Sequence, residues 1–273
     1  MIYSPGSVLI DIGHLFGLSK SLPIRWYGIT TGLGFLGAIW LILFNLKGKA
    51  NTEQKQNLLD LLFWSFLGGV IGARLWFVIL NFTYFSQNPI EILAIWQGGQ
   101  SIQGGLIGGF LSGYFFHKLN STKSDFLPLG QIADLIAISL PFAQAIGRFG
   151  NFFNTEAFGK PTNLPWALYV PENNRPIQYI LADGFHPTFF YEAIYLIFIG
   201  FYLKSLYDKK TTYSGNLFCL YLILYSVGRF FLEFMRLDSL KIGFFPAAQV
   251  LCLVFIIVSS FFYFHLSKLN SKK

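Results

Sequence analysis

Long apolar runs separated by polar segments are the feature that most limits how this chain can fold. A membrane-spanning helix needs about 20 consecutive apolar residues. Pro141 and the segment 186–188 interrupt or flank two of the runs, and proline is tolerated in such helices when neighbours satisfy the freed carbonyl. The pattern predicts an all-α polytopic membrane protein with about seven transmembrane helices. The seven predicted spans are Trp26–Leu46, Leu58–Asn81, Ser101–Leu119, Leu129–Gly147, Pro187–Leu206, Gly215–Met235 and Pro246–Leu266.

Composition agrees with a membrane location. Only 12% of the 273 residues are charged, against roughly 25% in soluble domains. The net charge of +7 would suit nucleic acid, but the basic residues cluster between the apolar runs, so no nucleic-acid partner is expected. Cys219 and Cys252 lie inside apolar runs and are predicted to be buried, with no metal-binding spacing. Residues 1–20 lack the basic start and apolar core of a cleavable signal.

The lysines predict the orientation. Eleven of the fourteen lysines follow the first, third, fifth or seventh span. Those segments share one side if the spans alternate, and the positive-inside rule makes that side cytoplasmic. The amino terminus is then outside and the carboxyl terminus is cytoplasmic. We expect residues 1–273 to form a single integral membrane domain, with a small extracytoplasmic head at about residues 148–186.

The six arginines depart from this rule, because all lie in predicted spans or outer segments. They are Arg25, Arg74, Arg148, Arg175, Arg229 and Arg236. A charge within a membrane segment usually marks a substrate site or a buried ion pair, and the planar guanidinium suits a phosphate. Arg148 stands in the polar stretch 147–159, directly after an apolar run. A phosphate-bearing substrate near the membrane surface is therefore predicted.

The sixth span carries a second charged group. Tyr225, Arg229, Glu233 and Arg236 are spaced by four, four and three residues, so they share one helical face. Glu233 could fix helix packing through Arg229, orient Arg229 toward an anion, or do both. Arg148 and Arg229 are expected to grip one phosphate from two helices.

Other polar residues leave alternatives open. Asp134 and Glu156 are candidate counter-charges for the arginines, and Arg74 is expected to be paired or to face a ligand. His186 could accept a proton or simply precede a helix start at Pro187. The glycines of the second and third spans predict close helix packing, which could also bring Gln103 near the charged groups.

Six segments together resemble the prolipoprotein diacylglyceryl transferase family. They are residues 25–28, 72–75, 104–108, 147–159, 186–192 and 228–236. The resemblance implies a seven-helix enzyme of the bacterial cytoplasmic (inner) membrane with its active site toward the outer leaflet. Such enzymes transfer diacylglyceryl from phosphatidylglycerol to the lipobox cysteine of a prolipoprotein signal peptide and release glycerol phosphate.

The resemblance also implies residue roles. Arg148 and Arg229 match the essential phosphate-handling arginines, and Tyr27, Asn151, Glu156 and Gly159 match further functional positions. With Gln103, Arg74, Glu233 and Arg236 they form the predicted substrate site. No metal, nucleotide or other cofactor is implied.

Gln103 departs from the family pattern. Many members have histidine there, sometimes proposed as the base that activates the thiol. Glutamine cannot accept a proton at neutral pH, so either another group is the base or this position binds substrate. Glu156, His186 and the leaving phosphate remain open as proton acceptors. A transporter is less favoured because no internal repeat is present, whereas a non-catalytic lipid-binding scaffold would use the same arginines.

Overall fold

The structure is a computed structural model that describes residues 1–17, 23–94, 98–122, 125–210, 212–237 and 241–270. Helices dominate it, and the strands form three short antiparallel pairs. The helices are α1 (Ile12–Leu15), α2 (Trp26–Asn45), α3 (Thr52–Leu80), α4 (Phe82–Gln87), α5 (Ile102–Asn120), α6 (Leu129–Asn154), α7 (Thr188–Lys209), α8 (Asn216–Glu233) and α9 (Ala247–Asn270). The strands are β1 (Val8–Asp11), β2 (Pro23–Arg25), β3 (Leu168–Tyr169), β4 (Gly184–Phe185), β5 (Lys241–Ile242) and β6 (Phe245–Pro246).

Within the part of the chain that the structure describes, six helices are long and apolar enough to cross a membrane, namely α2, α3, α6, α7, α8 and α9. The third predicted span is a helix too, α5, but it is not among those six. Its glycines and terminal polar residues dilute its apolar character. A polytopic membrane protein is therefore confirmed at the level of these helices. The count of seven and the orientation stay predictions.

Helix α6 extends past its predicted end at Gly147 to Asn154. Residues 148–154 are therefore helical, whereas the head segment at about 148–186 stays a prediction. The sequence predicts an earlier end because Asn151 and Asn154 are typical loop residues. In the structure their side chains donate hydrogen bonds to Glu156, which stabilises the last turn of the helix. The head is accordingly defined as residues 155–187.

The chain divides into two compact units, and the smaller one comprises residues 46–129. Within it α3 packs along α5 through facing glycines. A Cβ added to Gly72 would clash with the Gly104 carbonyl oxygen, and one added to Gly68 would lie 2.8 Å from that of Gly108. The predicted close packing of these two helices is confirmed. Only glycine allows this approach, which gains van der Waals contact between backbones.

The larger unit comprises residues 1–45 and 130–273. Gly34 lets α2 approach α6, because a Cβ there would meet the Ala143 carbonyl oxygen at 2.6 Å. In the head, β3 pairs with β4 over an apolar cluster that includes Leu168, Phe185 and Phe189. Cys219 and Cys252 are buried free thiols, as predicted.

Asp134 joins the start of α6 to the start of α8. Its carboxylate accepts hydrogen bonds from the backbone N–H groups of Gly215 at 2.8 Å, Leu217 at 3.0 Å and Phe218 at 3.2 Å. The first N–H groups of a helix have no partner within it, and the N-cap residue usually supplies an oxygen. The N-cap of α8 is Gly215, which has no side chain. Asp134 supplies that acceptor from the neighbouring helix.

Candidate functional site

Arg148 lies near the end of α6 in an ion pair with Glu192 of α7. One guanidinium nitrogen of Arg148 is 2.6 Å from Glu192 Oε1, and the two side chains are 23% and 4% exposed. Glu192 reaches it because α7 begins at Thr188, which places residue 192 in the second helical turn. A guanidinium has five N–H donors, so one carboxylate leaves part of the fork available. Arg148 can therefore bind a second anion without losing its counter-charge.

Arg229 is held in the same way on α8. Its NH1 group lies 2.7 Å from Glu233 Oε2, with the side chains 15% and 2% exposed, and Arg236 Nε lies 4.0 Å from the same oxygen. The Arg229–Glu233 pair predicted from the i,i+4 spacing is confirmed. Whether Arg229 also faces a phosphate stays a prediction.

Tyr225 lies between the helices that carry the two pairs. It stands one turn before Arg229 on α8, and its ring packs against the buried cluster of Ala145 on α6 with Ala193 and Leu196 on α7. Ala145 stands three residues before Arg148, and Ala193 directly follows Glu192, so the ring lies near that ion pair. Two partly buried arginines and two buried carboxylates from three helices thus lie near one phenol. We call Arg148, Glu192, Tyr225, Arg229 and Glu233 the arginine cluster.

A polar chain leads from this cluster to the head. Arg148 NH1 lies 3.5 Å from Asn151 Oδ1, and Asn151 Nδ2 donates to Glu156 Oε1 at 2.8 Å. Asn154 Nδ2 donates to the same Glu156 oxygen at 3.3 Å. Thr155 and Ala157, on either side of Glu156, have left-handed backbones with φ values of 52° and 55°. Glu156 is held through a strained turn by two asparagines of α6.

Two further predicted residues line the same end of the larger unit. A Cβ on Gly150 would lie 2.6 Å from Tyr27 Cδ2, so glycine lets the Tyr27 ring lie against α6. Gly159 forms a β-bridge with Arg236, and a Cβ there would meet Thr188 Cγ2 at 2.8 Å. Gly159 therefore allows the head to lie close to the end of α8.

Arg74 and Gln103 belong to the smaller unit. The Arg74 guanidinium donates four hydrogen bonds to the backbone carbonyls of Glu91, Ile92, Gly98 and Gly99, at 2.5 to 3.0 Å. Most of its donors are therefore used within the loop that follows α4, which favours a structural role. Gln103 is exposed in the first turn of α5, where its Oε1 accepts from Ser101 Oγ at 2.5 Å. Their predicted substrate-binding roles stay predictions.

The expectation that Asp134 is a counter-charge for an arginine is wrong, because its carboxylate caps α8. The prediction that Glu156 is a counter-charge for an arginine is also not supported, because its described partners are asparagine amides. The counter-charges are Glu192 and Glu233. Sequence reasoning missed Glu192, whose only signal was an acidic residue close to a predicted helix start in an apolar run.

His186 lies in the head, with its Nδ1 3.1 Å from Tyr191 Oη. Tyr191 Oη also accepts a hydrogen bond from Trp166 Nε1 at 3.0 Å. Among the described residues, no group of three or more histidine, cysteine or acidic side chains could hold a metal ion. The guanidinium donors of Arg148 that Glu192 leaves unused are of the type that binds anions.

Comparison with known proteins shows the family of this chain. The sequence model of the prolipoprotein diacylglyceryl transferase family matches residues 14–265. The chain belongs to this family. Three relatives carry the name phosphatidylglycerol–prolipoprotein diacylglyceryl transferase. The one from Nostoc sp. is 42% identical over 255 residues, covering 92% of this chain and 85% of the relative.

The relative from Fervidobacterium nodosum is 38% identical over 265 residues, covering 97% of this chain and 88% of the relative. The relative from Thermotoga maritima is 41% identical over 254 residues, covering 93% and 84%. Membership of the family therefore extends over nearly the whole chain, including the arginine cluster and the head.

Proposed function

We propose that this protein transfers the diacylglyceryl group of phosphatidylglycerol to the lipobox cysteine thiol of a prolipoprotein, the first step of lipoprotein maturation. The family and the names of the relatives support this reaction. The cysteine sulfur attacks the diacylglycerol carbon that bears the phosphate. A C–S thioether bond forms, the C–O bond to phosphate breaks, and glycerol phosphate leaves.

The arginine cluster carries the proposal for the site. Arg148 and Arg229 come from α6 and α8, and Tyr225 of α8 packs against the α6 residue Ala145. In this proposal the two arginines hold the phosphate diester from two sides, while Glu192 and Glu233 fix the guanidinium planes. Bidentate arginine–phosphate contacts supply both geometry and energy.

The reaction itself favours arginines at this place. The leaving phosphate changes from a diester monoanion toward a monoester dianion, so negative charge develops on it in the transition state. Donors aimed at developing charge contribute about 3 kcal/mol each. The same positive field favours the cysteine thiolate over the thiol.

The thiol proton needs an acceptor other than Gln103, because a glutamine side chain is not basic. The leaving phosphate gains basicity as the C–O bond breaks and can take this proton. Glu156 and His186 are the protein groups that could do so.

The remaining predicted residues have supporting roles in this proposal. Tyr27 and Asn151 contact the lipid headgroup beside Arg148, and Glu156 orients Asn151. Arg236 lies one turn beyond Glu233 and extends the positive surface, while Gly159 keeps the head close to it. Gln103 offers an amide to a phosphate oxygen or glycerol hydroxyl. Arg74 is a weaker candidate for substrate binding than these residues, because most of its donors already bind backbone carbonyls.

We further propose that the enzyme spans the cytoplasmic membrane seven times, with α5 as the additional span. The amino terminus is outside, the carboxyl terminus is cytoplasmic, and the head faces outward. The distribution of lysines supports this orientation. The active site then lies toward the outer leaflet, where both phosphatidylglycerol and the lipobox cysteine are accessible.

The test uses purified protein in phosphatidylglycerol vesicles with a lipobox peptide, and measures glycerol phosphate release and peptide mass. We expect release that requires the cysteine, since a cysteine-to-serine peptide should give none. Arg148→Ala and Arg229→Ala should each abolish transfer while the protein still inserts. Lys204→Ala, which removes an ion-paired cation near the other end of α7, should retain activity.

Lipid or peptide binding without release by the unmodified protein would favour a non-catalytic scaffold. Normal turnover in either arginine variant would contradict the two-arginine phosphate site.

A further inference from the structure

A cavity lies where the end of α6 meets the head, and no residue of the arginine cluster lines it. Its volume is about 530 Å³, and it is lined on one side by Asn154 to Phe158 and on the other by Asn173 to Pro176. Asn173 and Asn174 are exposed, so the cavity opens to the surface of the head. Pockets of about 300–1,000 Å³ suit small ligands. The cavity can take a few residues of a peptide but no folded domain.

The lining excludes an anion. Glu156 contributes a carboxylate, which would repel a phosphate. The arginine in the lining, Arg175, is already bound to Asp183 at 2.8 Å and to the carbonyl oxygens of Val170 and Ile180. The cavity therefore differs in chemistry from the arginine cluster.

Asparagine side chains make the cavity suitable for a peptide backbone. An amide offers both a donor and an acceptor, as an extended peptide requires. Asn154 is oriented by its Nδ2 group, which donates to Glu156, so its Oδ1 is the free acceptor. That oxygen is buried and has no hydrogen-bond donor among the residues that the structure describes. The amides that an entering peptide can reach are those of Asn173 and Asn174, which are exposed and line the cavity.

The turn that forms one wall is strained. Thr155 and Ala157 both adopt left-handed backbones, which is unfavourable for residues with a Cβ. Thr155 is β-branched, so the conformation is especially costly there. Such conformations persist where the surrounding contacts impose them, and they concentrate at ligand-binding sites. Here the bonds of Glu156 to Asn151 and Asn154 impose the conformation.

We propose that this cavity binds the segment of the prolipoprotein that follows the modified cysteine. The inference rests on the proposed transferase function. Arg148 and Asn154 are six residues apart on α6, or about 9 Å along the helix axis. An extended chain advances about 3.3 Å per residue, so a cysteine at the arginine cluster places roughly the third following residue at the cavity. The enzyme thus recognises residues of the prolipoprotein that follow the lipobox.

The test compares two lipobox peptides with phosphatidylglycerol vesicles, one ending as an amide at the cysteine and one continuing for six residues. We expect the longer peptide to have a KM lower by about fivefold, as one or two added hydrogen bonds would produce. Asn173→Trp, which fills the cavity from an exposed position, should remove this advantage. It should leave the KM of the short peptide and of phosphatidylglycerol within about twofold.

Gln178→Trp is the matched control, since Gln178 is an exposed head residue outside the cavity lining. It should change neither peptide's KM. A photoreactive residue placed three positions after the cysteine should crosslink to residues 172–176 in the unmodified protein and much less in Asn173→Trp.

Equal KM values for both peptides, or an Asn173→Trp effect shared by both peptides, would overturn the inference while leaving the transferase intact. A raised KM for phosphatidylglycerol in this variant would assign the cavity to the lipid headgroup and also overturn it. Absence of transfer to either peptide by the unmodified protein would overturn the proposed function first.

Discussion

Arg74 and Arg148 are both arginines in long apolar helices, yet their surroundings differ. Arg74 is buried and donates to four backbone carbonyls of one loop, with its guanidinium carbon 5.3 Å from the centre of the Phe85 ring. Arg148 is partly exposed and meets one carboxylate and, at 3.5 Å, one amide oxygen. The first side chain is nearly saturated, and the second keeps donors for a ligand.

The difference shows why a charge inside an apolar helix has two meanings. A guanidinium surrounded by carbonyls holds the backbone in one conformation, so its contribution is to the stability of the fold. A guanidinium held at one edge by a carboxylate is fixed in direction but still able to bind an anion. The same substitution at the two positions should therefore have opposite consequences.

The largest effect is expected for Arg148→Lys and Arg229→Lys. Lysine keeps the positive charge and can keep the ion pair, but it cannot form a planar fork with phosphate. We expect kcat/KM to fall about 100-fold, with the thermal unfolding midpoint in detergent nearly unchanged. Kinetics in phosphatidylglycerol vesicles and a thermal scan measure both. Near-normal kcat/KM would mean that only charge is needed.

Arg74→Lys should give the reverse result. An ammonium group has three donors on one atom and cannot reach four carbonyls in different directions, so we expect a loss of about 3 kcal/mol of stability. The thermal midpoint should fall clearly while KM for phosphatidylglycerol holds in the folded fraction. A raised KM at unchanged stability would instead support the substrate-binding role predicted for Arg74.

Asp134→Ala should affect stability and activity together, because it removes the acceptor for three N–H groups of the helix that carries Arg229. We expect a loss of about 2 kcal/mol, near the upper end for helix caps, with a lower kcat. Asp134→Asn keeps one acceptor oxygen and should lose less. Ser139→Ala is a matched control, since Ser139 donates only within α6 to the Leu135 carbonyl. Equal losses of stability and kcat in Ser139→Ala would contradict a specific role of Asp134 as the cap of α8.

The smallest effect is expected for Gln103→His. Gln103 is exposed and contacts only Ser101 among its described partners, so the first turn of α5 has room for an imidazole. We expect transfer to stay within about threefold, less than the loss of one hydrogen bond. Complete inactivation would indicate that the site depends on a glutamine amide here. A large gain would indicate that an added base assists the thiol.

The sequence predicted what depends on local spacing and missed what depends on contacts between helices. The Arg229–Glu233 pair follows from residues four apart on one helix, and the packing of α3 on α5 follows from their glycines. Glu192 was missed because its arginine lies on another helix. Asp134 was misread because its partners are backbone N–H groups, which every residue except proline has, so no sequence pattern reveals them.

The same contrast explains the helix ends. The starts of α2 at Trp26 and α6 at Leu129 were predicted correctly, since apolar character begins sharply there. The end of α6 was predicted too early because its last turn is stabilised by Glu156 and Glu192, both outside the helix.

Two sets of polar contacts join α6 to α8. Asp134 accepts hydrogen bonds from the first N–H groups of α8, and Gln144 Oε1 accepts one from Tyr221 Oη at 2.8 Å. A slide of α8 by a single residue, about 1.5 Å, would break both together. These contacts therefore fix the register of α8 against α6. We expect the two helices, and with them Arg148 and Arg229, to move as one unit when a lipid enters or leaves.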